Sequence, residues 1–242
     1  MDFKYNGVDI TTIAPVKIDD IRISPIQYSP VSRPRAFRFG SEFVRMRGGV
    51  RTVDVLFALQ EMNPETRLAS LLALSNWAKT DKEYKIEIPY DTDRALFGVC
   101  TMKPEPSVRQ WWENKLRFVF TCFDNPYWTD AEETTVSCGT SLEIEGNAPP
   151  LMVVTNTFAA AAEDVEYTDG INTMTFTTVP AGDMVIDLNR QTAAVDGVSI
   201  MQYFVPSSKF IEPTTGAFMI TGDGNVTYRQ RWECLRSEYY SH

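Results

Sequence analysis

The first half of the chain alternates apolar and polar residues in short runs, as strands do. Glu42-Phe43-Val44-Arg45-Met46-Arg47 and Val50-Arg51-Thr52-Val53-Asp54-Val55-Leu56-Phe57 flank Gly48-Gly49. A two-residue Gly-Gly loop between such runs predicts a hairpin, because primed turns need positive φ at both central residues. Leu116, Phe118, Phe120 and Cys122 alternate with Lys115, Arg117, Val119 and Thr121, which predicts a half-buried strand stopping at Asp124-Asn125-Pro126. One segment has a helical period instead. Asn63-Pro64-Glu65 supplies an N-cap, a proline at the first helical position and an acid in the first turn. Leu68, Leu71, Leu72 and Ser75, flanked by Leu74 and Trp77, mark the predicted buried face, and Lys79 and Lys82 close the helix with the favourable dipole sign.

After Tyr127-Trp128 the character changes. Strand-like runs at 142–145, 151–155, 173–178, 184–188, 217–220 and 226–232 are separated by Gly, Pro, Asn and Asp, with no helical pattern. Short strands with turn signals between them predict a β-sandwich or barrel. The stretch 156–163, with its alanine run, reads as a connecting loop. A length of 242 residues suits one large or two modest domains. The boundary is placed near residue 130, giving domains 1–130 and 131–242 in a mainly β (α+β) chain.

Charge sharpens that division. Residues 1–130 hold 18 Lys/Arg against 17 Asp/Glu, whereas 131–242 hold 5 against 15. The acidic half argues against wrapping nucleic acid, since such affinity comes from neutralising phosphates. No stretch is long and apolar enough to span a bilayer, and Met1-Asp2-Phe3-Lys4-Tyr5 lacks the pattern of a signal peptide. A soluble protein is expected.

The inventory of reactive residues is thin. The one histidine, His242, stands last, so His-based triads and zinc helices have no residues to use. Cys100, Cys122, Cys138 and Cys234 are spaced 22, 16 and 96 apart and read as reduced thiols without a CxxC motif. The acidic pairs Asp19-Asp20, Glu132-Glu133 and Glu163-Asp164 are neighbours, whose side chains point to opposite faces of an extended chain. They read as solvated loop charge rather than paired catalytic acids. Gly222-Asp223-Gly224-Asn225 lacks the residues of a phosphate or calcium loop and reads as a turn. No catalytic, cofactor-binding or metal-ligating residue is assigned.

Two features point to contacts with other proteins. Arg33, Arg35, Arg38, Arg45, Arg47 and Arg51 lie within nineteen residues that contain one acid, Glu42. Arginine is the favoured cation of protein interfaces, so a docking surface is expected. The competing reading is internal pairing, with Arg45 diagonal to Asp54 across the predicted hairpin. Trp111-Trp112 is the second feature. One of the pair can fill a core; the other is exposed, in a loop, or buried by a partner. The candidate interface residues are therefore Arg45, Arg47, Arg51, Trp111 and Trp112.

In their order, these pieces resemble the distal tail (Dit) proteins of long-tailed, non-contractile bacteriophages. The resemblance runs from about Ile21 to Trp232. It rests on Ile21-Arg22-Ile23, Gly40-Ser41-Glu42-Phe43, the Arg-Gly-Gly segment and Arg51-Thr52-Val53-Asp54-Val55-Leu56-Phe57. The helix with residues 71–77, Cys100 and Phe123-Asp124-Asn125-Pro126-Tyr127-Trp128 follow. In the second half it rests on Gly146-Asn147-Ala148-Pro149-Pro150, Gly182-Asp183-Met184-Val185-Ile186-Asp187, Asn189-Arg190, Asp196-Gly197 and Gly224-Asn225.

The resemblance implies an N-terminal β domain with one helix and a long β-hairpin that assembles into a hexameric ring. It also implies a C-terminal galectin-like β-sandwich. Such a ring joins the tail tube protein to the tail-tip protein, leaves a lumen for the genome and carries receptor-binding or baseplate proteins. The implied location is the virion tail, after assembly in the host bacterial cytoplasm. Two other functions are weighed against it. One is a host-glycan module, for which the sandwich lacks the internal histidine of galectin sugar sites. The other is a carboxylate-based wall hydrolase.

Overall fold

The computed structural model describes residues 3–34, 41–61, 63–103 and 115–234, with the backbone alone over 29–34 and 41–48. The chain divides into two compact units, one of Met1–Trp128 with Glu233–His242 and one of Thr129–Trp232.

The first unit holds strands β1 (Lys4–Tyr5), β2 (Val8–Asp9), β3 (Val16–Ile23), β4 (Tyr28–Pro34), β5 (Ser41–Gly48) and β6 (Arg51–Leu59). Helix α1 (Pro64–Trp77), β7 (Tyr84–Ile88), β8 (Asp91–Met102) and β9 (Lys115–Cys122) follow, and β10 (Trp128–Asp130) leads into the second unit. An antiparallel sheet runs β3-β6-β9-β8-β7-β1-β2. Period-two patterning sets its buried face. Val53, Val55, Phe57 and Leu59 of β6 and Leu116, Phe118, Phe120 and Cys122 of β9 are buried.

Against this face Phe3, Tyr5, Phe57, Phe118 and Phe120 form one aromatic cluster, with centroid separations from 4.8 Å for Tyr5–Phe120 to 6.5 Å for Phe118–Phe120. Phe3–Phe57 and Phe57–Phe118 meet edge to face, and aromatic pairs of this kind each add about 0.5–1.5 kcal/mol beyond area burial. The Tyr5 hydroxyl donates to the Gly98 carbonyl at 3.1 Å and lies 2.7 Å from Thr80 Oγ1, so its polar end is satisfied inside the core.

Helix α1 begins where the sequence places it, with the Asn63 side chain accepting from the Glu65 N–H at 3.0 Å. Its buried face differs from the expected one. Arg67, Leu71, Leu74 and Ala78 are buried, whereas Leu68 and Leu72 are 40% and 51% exposed. The cause is Trp77, which packs edge-on against Tyr5, Phe118 and Phe120. At 100° per residue, Trp77 and the Leu68/Leu72 pair flank the Leu71/Leu74 stripe on opposite sides. Seating the tryptophan turns Leu68 and Leu72 to solvent.

The hairpin expected across Gly48-Gly49 does not form. β5 pairs with β4, and β6 pairs with β3 and β9. The two pairings belong to one long antiparallel run, from Val16↔Leu59 through Tyr28↔Gly48 to Pro34↔Ser41. Gly48-Gly49 is an internal joint of that run, and the connection lies in 35–40, outside the described residues. Glycine is needed at 49 for space: a Cβ there would stand 2.5 Å from the Gln27 carbonyl oxygen. A close backbone approach and a primed turn ask for the same residue.

The second unit is a β-sandwich of β11 (Thr134–Ser137), β12 (Leu142–Ile144), β13 (Ala148–Phe158), β14 (Ala162–Thr168), β15 (Thr173–Val179), β16 (Gly182–Asp187), β17 (Thr192–Val195), β18 (Val198–Ser199), β19 (Gly216–Phe218) and β20 (Asn225–Trp232). Strands β18-β17-β16-β13-β20 pair in that order, and β11 adds to β20. The pairs β14–β15 and β12–β19 face them across one core. Met152, Val154, Met184 and Ile186 meet Leu142, Tyr167, Met174, Phe176 and Phe218 there.

The loop expected at 156–163 is shorter, confined to residues 159–161 between the end of β13 and the start of β14. In β14 only Tyr167 is fully buried, so the strand lacks apolar alternation to announce it. A true two-residue primed turn does occur in this unit. Asp196 and Gly197, at φ 48° and 79°, join β17 to β18.

Candidate functional site

The long antiparallel run ends in a two-stranded ribbon, β4 with β5. Neither strand pairs with any other among the described residues. A lone two-stranded ribbon is marginally stable in water, and its outer edges present unpaired backbone groups. Arg45 and Arg47 stand on β5 opposite Val31 and Ser29, and Arg33 stands on β4 opposite Glu42. The side chains of these three lie outside the described residues, as do Arg35, Arg38, Trp111 and Trp112 altogether.

Arg51 has a different place. It is the first inward residue of β6, opposite Cys122, and only 2% exposed. Its Nη2 donates to the carbonyl oxygen of Glu233. The same glutamate accepts from the Tyr28 hydroxyl through Oε1 at 2.6 Å. Arg94 of β8, 6% exposed, donates through Nη1 to the Cys234 carbonyl at 3.4 Å. Tyr28, Arg51, Glu233 and Cys234 line a cavity of about 330 Å3, with Ile26 and Trp128 as its apolar wall. Tyr28, Arg94 and Glu233 were not legible as partners, because Glu233 is 205 positions from Tyr28 and no local pattern joins them.

The register that the competing reading needed, with Arg45 diagonal to Asp54, is absent, and the Arg45 side chain lies outside the described residues. With β5 and β6 in separate sheets, Asp54 faces Arg117 of β9, whose Nε donates to both carboxylate oxygens at 2.9 and 3.0 Å. Asp20 binds Arg22 at 2.7 Å within β3, and Asp19 of β3 binds Lys115 of β9 at 2.7 Å across β6. These exposed pairs neutralise the outer face of the sheet and contribute little stability.

The Tyr28 phenol is driven far above its usual range by its bond to Glu233. Burial pushes the Cys122 thiol up to about 12, Glu83 adds to the rise and Arg51 opposes it. Burial likewise pushes Cys100 up to about 11. Both are thiols, not thiolates, at neutral pH. All four cysteines are free, and no three His, Cys, Asp or Glu side chains converge on a metal site among the described residues. No helix there is long and apolar enough to cross a membrane.

No protein-family model matches the chain, and no curated protein sequence does. Two solved phage structures have its fold. One is the Dit protein of phage SPP1, described as a paradigm of the hub of the adsorption apparatus in phages infecting Gram-positive bacteria. It has a TM-score of 0.68 at 17% identity, over 95% of this chain and 98% of that one. The other is a chain of the phage P2 baseplate in its activated conformation, with a TM-score of 0.53 at 8% identity over 94% of each chain. Among the described residues the fold is mainly β with one α-helix, and it is the fold of the SPP1 Dit hub protein and of the phage P2 baseplate chain.

Proposed function

We propose that this chain is a distal tail protein of a long-tailed, non-contractile phage, a structural component of the virion tail with no catalytic role. The observation that carries this reading is the near full-length match in fold to the SPP1 Dit protein. Copies of the chain form a hexameric ring that joins the tail tube protein to the tail-tip protein, holds receptor-binding or baseplate proteins and leaves a lumen for the genome. The β4–β5 ribbon is the ring-forming element. Its strands have no further partner among the described residues, and it carries Arg33, Arg45 and Arg47 against the single acid Glu42. Trp111 and Trp112 contribute to the same assembly. The second unit is a galectin-like scaffold for peripheral parts.

Light scattering and negative-stain imaging at high protein concentration, alone and with tube and tip proteins, test the proposal. Rings of six-fold symmetry are the expected result. A protein that stays monomeric and ignores both partners would overturn it. Saccharide binding or cleared zones on cell wall would favour the glycan module or the hydrolase instead.

A further inference from the structure

Both strands of the long antiparallel run are interrupted at the same level. Residues Ser24-Pro25-Ile26-Gln27 separate β3 from β4, and Gly49-Val50 separate β5 from β6. Backbone bonds still cross the joint, from the Gln27 N–H to the Val50 carbonyl at 3.4 Å and from the Gly49 N–H to the Gln27 carbonyl at 2.7 Å. Pro25 brings no N–H, and Gly49 brings no side chain. A joint so built is where a ribbon would bend away from the sheet that carries it.

Glu233 spans this joint. Its main-chain carbonyl is held on the sheet side by Arg51 Nη2, while its carboxylate is held on the ribbon side by the Tyr28 hydroxyl at 2.6 Å. Arg94 holds the next carbonyl, of Cys234, from a third strand. The two guanidiniums are buried, so the segment's grip on the sheet is shielded from water. Tyr28 is 41% exposed, so its bond to Glu233 is the one that water can compete for, and its hydroxyl also bonds Tyr127, a tie that Tyr28→Phe removes and Glu233→Ala leaves.

We propose that Glu233 is a latch across a hinge at the foot of the ribbon, and that breaking its bond to Tyr28 frees the ribbon to swing. Release of the latch would let the ribbon reach positions that the latched form excludes, and its closure would present the arginine-bearing strands in one fixed direction.

Hydrogen exchange on the full-length protein tests this, read at the amides of Gln27 and Gly49, which donate across the joint, with β9 as the internal reference. In Tyr28→Phe and Glu233→Ala, exchange at the joint should rise roughly five- to tenfold while β9 stays unchanged. Glu233→Gln should exchange at the wild-type rate, because its amide oxygen still accepts from the phenol. Unchanged exchange at the joint in both Tyr28→Phe and Glu233→Ala would overturn the proposal. So would an equal rise in β9, or a Glu233→Gln protein that exchanges as fast as Glu233→Ala.

Discussion

Gly49 lies directly against the backbone of Gln27: its N–H donates to that carbonyl at 2.7 Å, and a Cβ in its place would stand 2.5 Å from the oxygen. The contact is backbone on backbone, so no side chain can move aside. Gly49→Ala should lower stability by about 1–3 kcal/mol, as overpacking does. Urea unfolding followed by tryptophan fluorescence would check it.

Leu71 and Leu72 are adjacent and chemically identical, yet one is 3% and the other 51% exposed. Leu71→Ala should cost about 2–5 kcal/mol, and Leu72→Ala less than about 1 kcal/mol. Equal losses in thermal unfolding would mean the helix is rotated from the face described.

How much could be read beforehand depended on how local the cause was. The start of α1 is a property of Asn63, Pro64 and Glu65 and was legible. Its buried face depends on Trp77 meeting Phe118 and Phe120 from a strand some forty residues later, so two leucine stripes looked alike. β9 was legible because its alternate residues are all large and apolar. β14 was hidden because Glu163, Asp164 and Glu166 make an edge strand look like a loop. Gly48-Gly49 misled for a physical reason, since tight approach and tight turn select the same residue. Of the proposed interface residues, Arg45 and Arg47 fall on a strand of the open ribbon, while the environment of Arg51 is set by Glu233, far away in sequence.

Arg47 and Arg51 should therefore separate in experiment. Arg47→Glu is expected to weaken assembly in light scattering with little change in melting temperature. Arg51→Met, which removes a buried donor to Glu233, should lower stability by about 1–3 kcal/mol. A matching drop in melting temperature for both would make Arg47 an internal support as well.

Alkaline pH should weaken the fold through its buried thiols. Cys122 ionises near 9.0 when unfolded and near 12 when folded, and Cys100 near 9.0 and 11. Both folded values are raised, so their contribution is complete below pH 9 and is lost as pH climbs towards 11 and 12. Each group can remove up to about 1.4 kcal/mol per pH unit within its window. Urea titrations under reducing conditions at pH 8, 9.5 and 10.5 would show the decline, and Cys122→Ala should flatten part of it.

The path of the chain has a mechanical meaning. The polypeptide leaves the first unit after Trp128 and comes back at Glu233, so everything between is an insertion anchored at two points. Tension applied to the second unit is delivered to the first through both crossings and shared between them. A single cut anywhere inside the insertion would convert that double tether into one covalent link plus whatever hydrogen bonds hold the severed end in place.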